Sequence, residues 1–408
     1  MKRLNIIQFL PYFPPHKGGL ETHAKQFGEK YRENNFGDVI NIITDFDQKD
    51  KISKENQITF EGKSIGYIEK GVENLIVPSF EIISNFPMYK IWSKEYKLIK
   101  QYLKTKKTDI VITRTRFFLT SLIGGLFARK NNLKWCHIEH GSDYVKLNSK
   151  FKSFIAKIYD KIIGKWIFKK ADKLVGVSNA CKDFVQKEFI NKKVEVIYRG
   201  MQFDLKSNEK VENLKESYPG KIIVGFIGRL YKWKNIDTLI KAYYDLDENI
   251  KDKIQIVVVG EGEDFERLNK IDTENKLQGE LQSKRKHPGV YFTGGKSFQE
   301  AINLQKQFDI HFHTSSPGGG LATTLLQAMN LGCFIVSTPY EGAKEVVEDN
   351  KNGILLKNDS LKELKKGLIA GINSLDKKEN YSRENKKIIE TKFNWNENIK
   401  KYYNLFNR

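Results

Sequence analysis

Short apolar runs alternate with amphipathic helical stretches from one end of the chain to the other. In the first half the runs are LNIIQFL, DVINIIT, DIVITR, KWCHIEH, KLVGVS and VEVIYRG. Runs this unbroken read as strands buried on both faces, and the amphipathic stretches between most of them read as the helices that bury them. After Met201 the periodicity lapses into QFDLKSNEKVENLKESYPG, a polar stretch closed by Pro219 and Gly220 that reads as a linker. A second series then begins with KIIVGFIG, IQIVVVG, GVYFTG, DIHFHT, CFIVST and GILLK. The pattern predicts two α/β domains, each a parallel sheet covered by helices, with a cleft between them. The last residues read as a terminal helix packed on the body through Trp395, Tyr402, Tyr403 and Phe406. Ligands of open parallel sheets sit outside the carboxyl ends of the strands, so the loops that follow strands are where chemistry is to be sought.

A length of 408 residues suits two domains of ordinary size. Lys and Arg outnumber Asp and Glu by 70 to 50, and the net charge of +20 draws the chain toward phosphates, nucleic acid or an anionic membrane surface. No recognised nucleic-acid motif accompanies the charge, so no nucleic acid partner is expected. Cys136, Cys181 and Cys333 lie far apart with no C-x-x-C pair, which supports neither a disulfide framework nor a zinc site. The N-terminus MKRLNIIQFLPYFPP begins like a signal peptide, but Pro11, Pro14 and Pro15 break its short apolar stretch and no A-x-A-like cleavage site follows. No run approaches the ~18–20 apolar residues of a membrane span. The expectation is a cytoplasmic protein, peripheral on the inner face of the cytoplasmic membrane.

Gly18 and Gly19 stand after the first strand, where a helix begins. Unpaired N–H groups and the helix dipole suit such a point to an anion, while a tight turn needing positive φ would use the same residues. Arg229 and Lys234 lie in the loop after KIIVGFIG, before an N-cap at Asn235. Two cations there suit a diphosphate, or are simply solvated charges in a Lys-rich loop. Gly260 and Gly262 make a G-x-G without the third glycine, which is too little for a dinucleotide site. The D-x-D strings Asp45 with Asp47 and Asp245 with Asp247 sit where a turn and a helix end are the ordinary readings, and no metal site is expected. In KFKSFIAKIYDKIIGKWIFKKADK, Phe151, Phe154, Ile155, Ile158, Ile162, Trp166 and Ile167 recur at helical spacing, and Lys157, Lys161, Lys165 and Lys169 form an i, i+4 row. An anionic membrane surface would offset the repulsion within that row; a core-facing stripe with a solvated lysine face is the alternative.

Taken in order, GGLE, EHG at Glu139–Gly141, VGVSNA, VIYRG, GRLYKWKN, VVGEGE and TSSPGGGLATTLLQAMNLGCFIVSTPYEGAKEVVEDNKNGILL resemble the GT-B glycosyltransferases of family 4, the glycosyl transferases group 1. The likeness covers nearly the whole chain. It implies two Rossmann-like domains whose parallel sheets face a central cleft, with an acceptor-side domain over residues 1–200, a linker over 201–220 and a nucleotide-sugar-binding domain over 221–385. The segment 386–408 would then be a C-terminal helix packing back across the cleft. The resemblance also implies retention of anomeric configuration, no metal, and no cofactor beyond the donor nucleotide sugar itself. Arg229 and Lys234 match the basic pair that neutralises the donor diphosphate, Gly18 and Gly19 match the loop facing the same phosphates and the acceptor, and His140 matches the histidine near the donor sugar. Negative charge grows on the diphosphate as its bond to the sugar breaks, and fixed cations and helix N-termini stabilise it without reorganising.

One departure stands out. Family members usually carry two glutamates at the positions of Gly319 and Gln327. Glycine offers only its backbone N–H, whereas the Gln327 amide can still reach the ribose hydroxyls. Gly318, Gly319 and Gly320 with Leu321, Ala322, Thr323 and Thr324 would then form an anion-binding nest at a helix N-terminus. The expected function is transfer of a hexose from a nucleotide sugar, UDP-linked, to a glycan or lipid-linked acceptor in bacterial cell-surface polysaccharide biosynthesis, as in capsule or lipopolysaccharide. A non-catalytic GT-B partner subunit of a glycosyltransferase complex is the alternative.

Overall fold

Each apolar run named above contains a strand in the computed structural model, which describes residues 2–16, 18–46, 48–83, 86–145, 149–201, 209–283, 289–317, 321–340 and 342–408. The chain separates into two units, one made of residues 1–200 with 394–408 and the other of residues 201–393.

The first unit is built on a nine-stranded sheet. Its order is Glu195–Val196, Lys173–Gly176, Lys134–Glu139, Ile110–Arg114, Ile6–Phe9, Val39–Thr44, Val72–Val77, Lys63–Glu69 and Gln57–Phe60. Pairing is parallel as far as Val72–Val77, and the last two strands run antiparallel. This antiparallel flank departs from the purely parallel sheet that the apolar runs predict. Its strands, such as KSIGYIE and VENLIV, interleave polar and apolar residues because one face meets water, so they form no continuous run. The turns between them carry Glu61–Gly62 and Lys70–Gly71, all four residues at positive φ, which is the two-residue hairpin geometry that matches strand twist.

Helix Gly19–Glu33 covers this sheet with His23, Ala24, Phe27, Gly28 and Tyr31 turned inward. The segment 386–408 is not a single helix. Lys378–Lys392 belongs to the second unit, and a new helix, Trp395–Asn407, is capped by the Asn394 side chain and returns to the first unit. There it buries Trp395, Ile399, Tyr402, Tyr403 and Phe406. Tyr402 meets Phe27 edge to face with centroids 5.1 Å apart, and Tyr403 stacks on Phe36 at 4.4 Å. Trp395 lies so close over Gly200 that a Cβ there would fall 2.0 Å from the indole.

The second unit carries a six-stranded, wholly parallel sheet in the order Val290–Gly294, Ile254–Val259, Ile222–Ile227, Ile310–His313, Phe334–Ser337 and Ile354–Leu355. Within the stretch read as a linker, Leu214–Ser217 is a short helix of this unit, and Leu214 is fully buried with its N–H donated to Gln307 Oε1 at 2.7 Å. The three cysteines are buried and form no disulfide. No helix among the described residues is long and apolar enough to cross a membrane.

Candidate active site

In the second unit the strand order reverses between Ile222–Ile227 and Ile310–His313, which are neighbours though far apart in sequence. The loops leaving these two strands therefore lie side by side, the place where such sheets bind ligands. They are stitched together. Ser316 N–H donates to Trp233 O at 2.8 Å, Thr314 Oγ1 to Lys234 O at 2.5 Å, and Lys234 Nζ to Ser315 Oγ at 3.3 Å. The Lys234 ammonium also sits 4.2 Å from the centroid of the Trp233 ring. Arg229, partly buried, donates from Nη1 to the Tyr231 hydroxyl at 2.9 Å.

Asn235 precedes helix Ile236–Tyr244 as predicted but does not cap it with its side chain. Its amide reaches Asp359 O at 2.9 Å and accepts from Thr238 Oγ1 at 2.6 Å, and its φ of 56° lets the loop turn sharply after Lys234. The second loop leads to Leu321 and Ala322, both buried, and into helix Thr323–Leu331, which has no side-chain cap and no acid in its first turn. With no acid in its first turn, that N-terminus is an electropositive end. Gln327 is 5% exposed and its side chain has no hydrogen-bond partner among the described residues. Gly318, Gly319 and Gly320 lie outside the described residues. Sequence reasoning passed over Gly342, whose φ of 71° and approach to Leu321, 2.9 Å from where a Cβ would stand, make it a wall of this loop.

In the first unit Gly18 and Gly19 end the loop that follows Ile6–Phe9, with Gly18 at the N-cap and Gly19 opening the helix. The positive-φ reading of Gly18 is wrong: its φ is −179°, ordinary extended backbone. What the position needs is space, because a Cβ would lie 2.1 Å from Glu21 Oε2. The acid facing this helix start is thus the chain's own Glu21, which also pairs with His16 Nδ1 at 2.7 Å.

The first unit also holds a buried polar network that sequence reasoning missed. Arg114 at the end of its strand donates to Gln8 Oε1 at 2.6 Å and contacts His23 Nδ1 at 2.9 Å. Two residues on, Arg116 pairs with Glu139 at 3.1 Å and with Asp160 at 2.9 Å, all three buried. Between the arginines Thr115 holds a φ of 60°, which turns the chain so that the two guanidiniums serve different partners; a β-branched residue is strained there. Glu139 Oε1 in turn accepts the backbone N–H groups of His140 at 3.1 Å and Gly141 at 2.7 Å. The signals were present: a charged residue closing the apolar run DIVITR, and His23 in register with Phe27 and Tyr31 on the buried helix face.

The electrostatics follow from this packing. Burial, reinforced by Arg114, pushes the His140 pKa well below its usual value, so its ring is neutral at physiological pH. Its Nε2 is buried with no hydrogen-bond partner among the described residues. Burial, then Arg114, acts likewise on His23, whose ring centroid is 5.2 Å from that of His140. Burial lowers Arg114 and Arg199 to about 10, leaving both charged at pH 7. Burial would raise Glu139, but Arg116 and then His137 outweigh it and hold the carboxyl down at about 2.

Neither D-x-D string is gathered into a site. Asp45 accepts the Ser79 N–H at 3.0 Å, Asp47 lies outside the described residues, and Asp245 pairs with Lys365 at 2.9 Å. Among the described residues no three His, Cys, Asp or Glu side chains form a group that could hold a metal ion.

Comparison with known proteins places the chain. Residues 17–205 match the model of Glycosyltransferase Family 4 and residues 207–388 that of Glycosyl transferases group 1. The chain is 41% identical to an uncharacterized glycosyltransferase of Methanocaldococcus jannaschii, an alignment that covers 100% of this chain and 99% of that protein. It is 24% identical, over 82% of its length and 84% of the relative's, to a Campylobacter jejuni enzyme named GalNAc-alpha-(1->4)-GalNAc-alpha-(1->3)-diNAcBac-PP-undecaprenol alpha-1,4-N-acetyl-D-galactosaminyltransferase. Among solved structures, Anabaena HepE in complex with UDP superposes with a TM-score of 0.70 at 15% identity, over 100% of both chains. The reversed strand order, the paired loops and these matches agree: the chain belongs to the GT-B glycosyltransferases of family 4, the glycosyl transferases group 1, and is a glycosyltransferase.

Proposed function

We propose that the chain is a retaining, metal-independent glycosyltransferase that moves a hexose from a UDP-sugar to a glycan carried on a lipid, in cell-surface polysaccharide biosynthesis, and that it works peripherally on the inner face of the cytoplasmic membrane. The observation that carries the reading is the Lys234 loop, hydrogen-bonded to Thr314–Ser316 in the same unit as the uncapped, acid-free helix Thr323–Leu331. A doubly charged leaving group needs such fixed cations and N–H groups. The UDP bound to HepE and the undecaprenol-linked acceptor in the name of the Campylobacter relative support the choice of donor and acceptor.

In this reading Arg229 and Lys234 take the diphosphate, with Gly318, Gly319 and Gly320 and the first N–H groups of the helix behind Leu321, Ala322 and Thr323. Gln327 supplies its unpaired amide to the ribose. As the bond from the anomeric carbon to the diphosphate oxygen breaks, the acceptor hydroxyl oxygen attacks the same face and its proton passes to the departing phosphate. His140 is a neutral ring with a free nitrogen, fit to orient a sugar hydroxyl rather than to carry a proton at pH 7. Gly18 and Gly19 line the acceptor side.

The test is mass spectrometry of products formed from a mixed pool of nucleotide sugars and a polyprenyl-linked glycan, with and without a chelator. A single added hexose, drawn from a UDP donor at the same rate in chelator, is the expected result. A folded protein that binds UDP yet forms no product from any donor would instead be the non-catalytic partner subunit.

A further inference from the structure

Among the described residues twelve large hydrophobic side chains stand exposed, and five of them crowd into one short stretch: Phe151, Phe154, Ile155, Ile158 and Ile162. Phe151 is 70% exposed and Ile162 63%, so the apolar stripe faces outward and not into the core as the alternative reading has it, while its far end, Ile167 with Phe168, is buried. The stretch is one continuous rod, helix Lys150–Tyr159, a wider turn over Asp160–Gly164 and helix Lys165–Lys170. Over its regular first part the apolar side chains fall on one face, with Lys152 and Lys157 on opposite flanks.

Charge selects the occupant. Residues 150–170 hold seven lysines and a single acid, Asp160, and Asp160 is fully buried on Arg116. A second copy of the chain packed on the same face would set lysine row against lysine row. An apolar ridge flanked by exposed ammonium groups is instead complementary to a bilayer surface, where the rings enter the acyl boundary and the lysines meet anionic headgroups. The rod is also firmly mounted: Asp160 ties it through Arg116 to Glu139, and so to the backbone of His140 and Gly141.

We infer that residues 150–165 are a docking ridge that seats the first unit on an anionic lipid bilayer. This rests on the reading of a membrane-borne acceptor, and sedimentation reads docking without turnover, so failure of one is distinguishable from failure of the other. The full chain is sedimented with vesicles of phosphatidylcholine containing one third phosphatidylglycerol, and with phosphatidylcholine alone. Wild type should bind the anionic vesicles and lose binding as salt rises. The combined change Lys157→Gln, Lys161→Gln and Lys165→Gln should weaken binding at least about tenfold, given the pull of each basic residue on such a surface. Phe151→Ser with Phe154→Ser and Ile162→Ser should abolish it with the melting temperature unchanged, since all three side chains are exposed. Equal binding of wild type and both variants overturns the proposal. So does a wild-type dimer that the serine variant dissociates while vesicle binding stays absent, which would make the ridge a self-association face.

Discussion

At the scale of single residues, Arg116 holds two buried carboxylates that titrate in opposite senses. Glu139 sits below its usual 4.5, so its contribution to stability is complete above that pH and is lost as the pH falls toward about 2. Asp160 is raised by burial, against the pull of Arg116, from 3.8 to about 6. Folding therefore favours its protonated form, and its ionisation works against stability as the pH rises through that window. Asp160→Asn should accordingly gain on wild type between about pH 4 and pH 6.5, by up to about 3 kcal/mol in urea unfolding. A relative loss over the same range would mean that the ion pair outweighs the burial. Glu139→Gln should cost about 3–5 kcal/mol at pH 7, because Arg116 and the His140 and Gly141 N–H groups lose a charged partner in the interior. That cost should shrink as the pH falls from 4.5 toward about 2, where the unfolded wild-type chain takes up a proton that the folded carboxyl does not.

At the scale of elements, the helix Trp395–Asn407 shows how far chain order can mislead. It follows the second unit in sequence yet completes the core of the first, packing beside Phe27, Tyr31 and Phe36. Ile399→Ala should destabilise the first unit by about 2–5 kcal/mol, as a fully buried branched side chain leaves a cavity, and a melting transition that does not move would show the helix to be dispensable. The anchors Trp395, Tyr402, Tyr403 and Phe406 were legible in the sequence because they recur at helical spacing. The break at Asn394 was harder to see, since the cap is one short side chain in a Lys- and Asn-rich stretch. Strands such as Ile254–Val259 were plain because burial on both faces leaves an unbroken apolar run. The hairpins through Gly62 and Gly71 were hidden because an alternating, half-buried strand resembles a loop until its turn residues are weighed. Of the candidate site, the loop cations could be named from their place after a strand. The Arg114, Arg116, Glu139 and Asp160 network was signalled only by the charged end of DIVITR, and its pairing was hidden because its members come together through the register of separate strands and a helix.

At the scale of the whole molecule, one basic chain carries the Lys234 loop beside Thr314–Ser316 in its second unit and a basic, apolar ridge on its first. In the function proposed above the excess of positive charge has two uses, one for a leaving diphosphate and one for a surface. The first of these is the central claim, and it is tested most directly by calorimetric titration of UDP into wild type, Arg229→Ala and Lys234→Ala. Wild type should bind one UDP saturably, and each variant should bind more weakly while losing about 10²–10³ in kcat/KM, the usual effect of removing one donor from such a site. No UDP binding by folded wild type, or full affinity and turnover in both variants, would contradict the assignment.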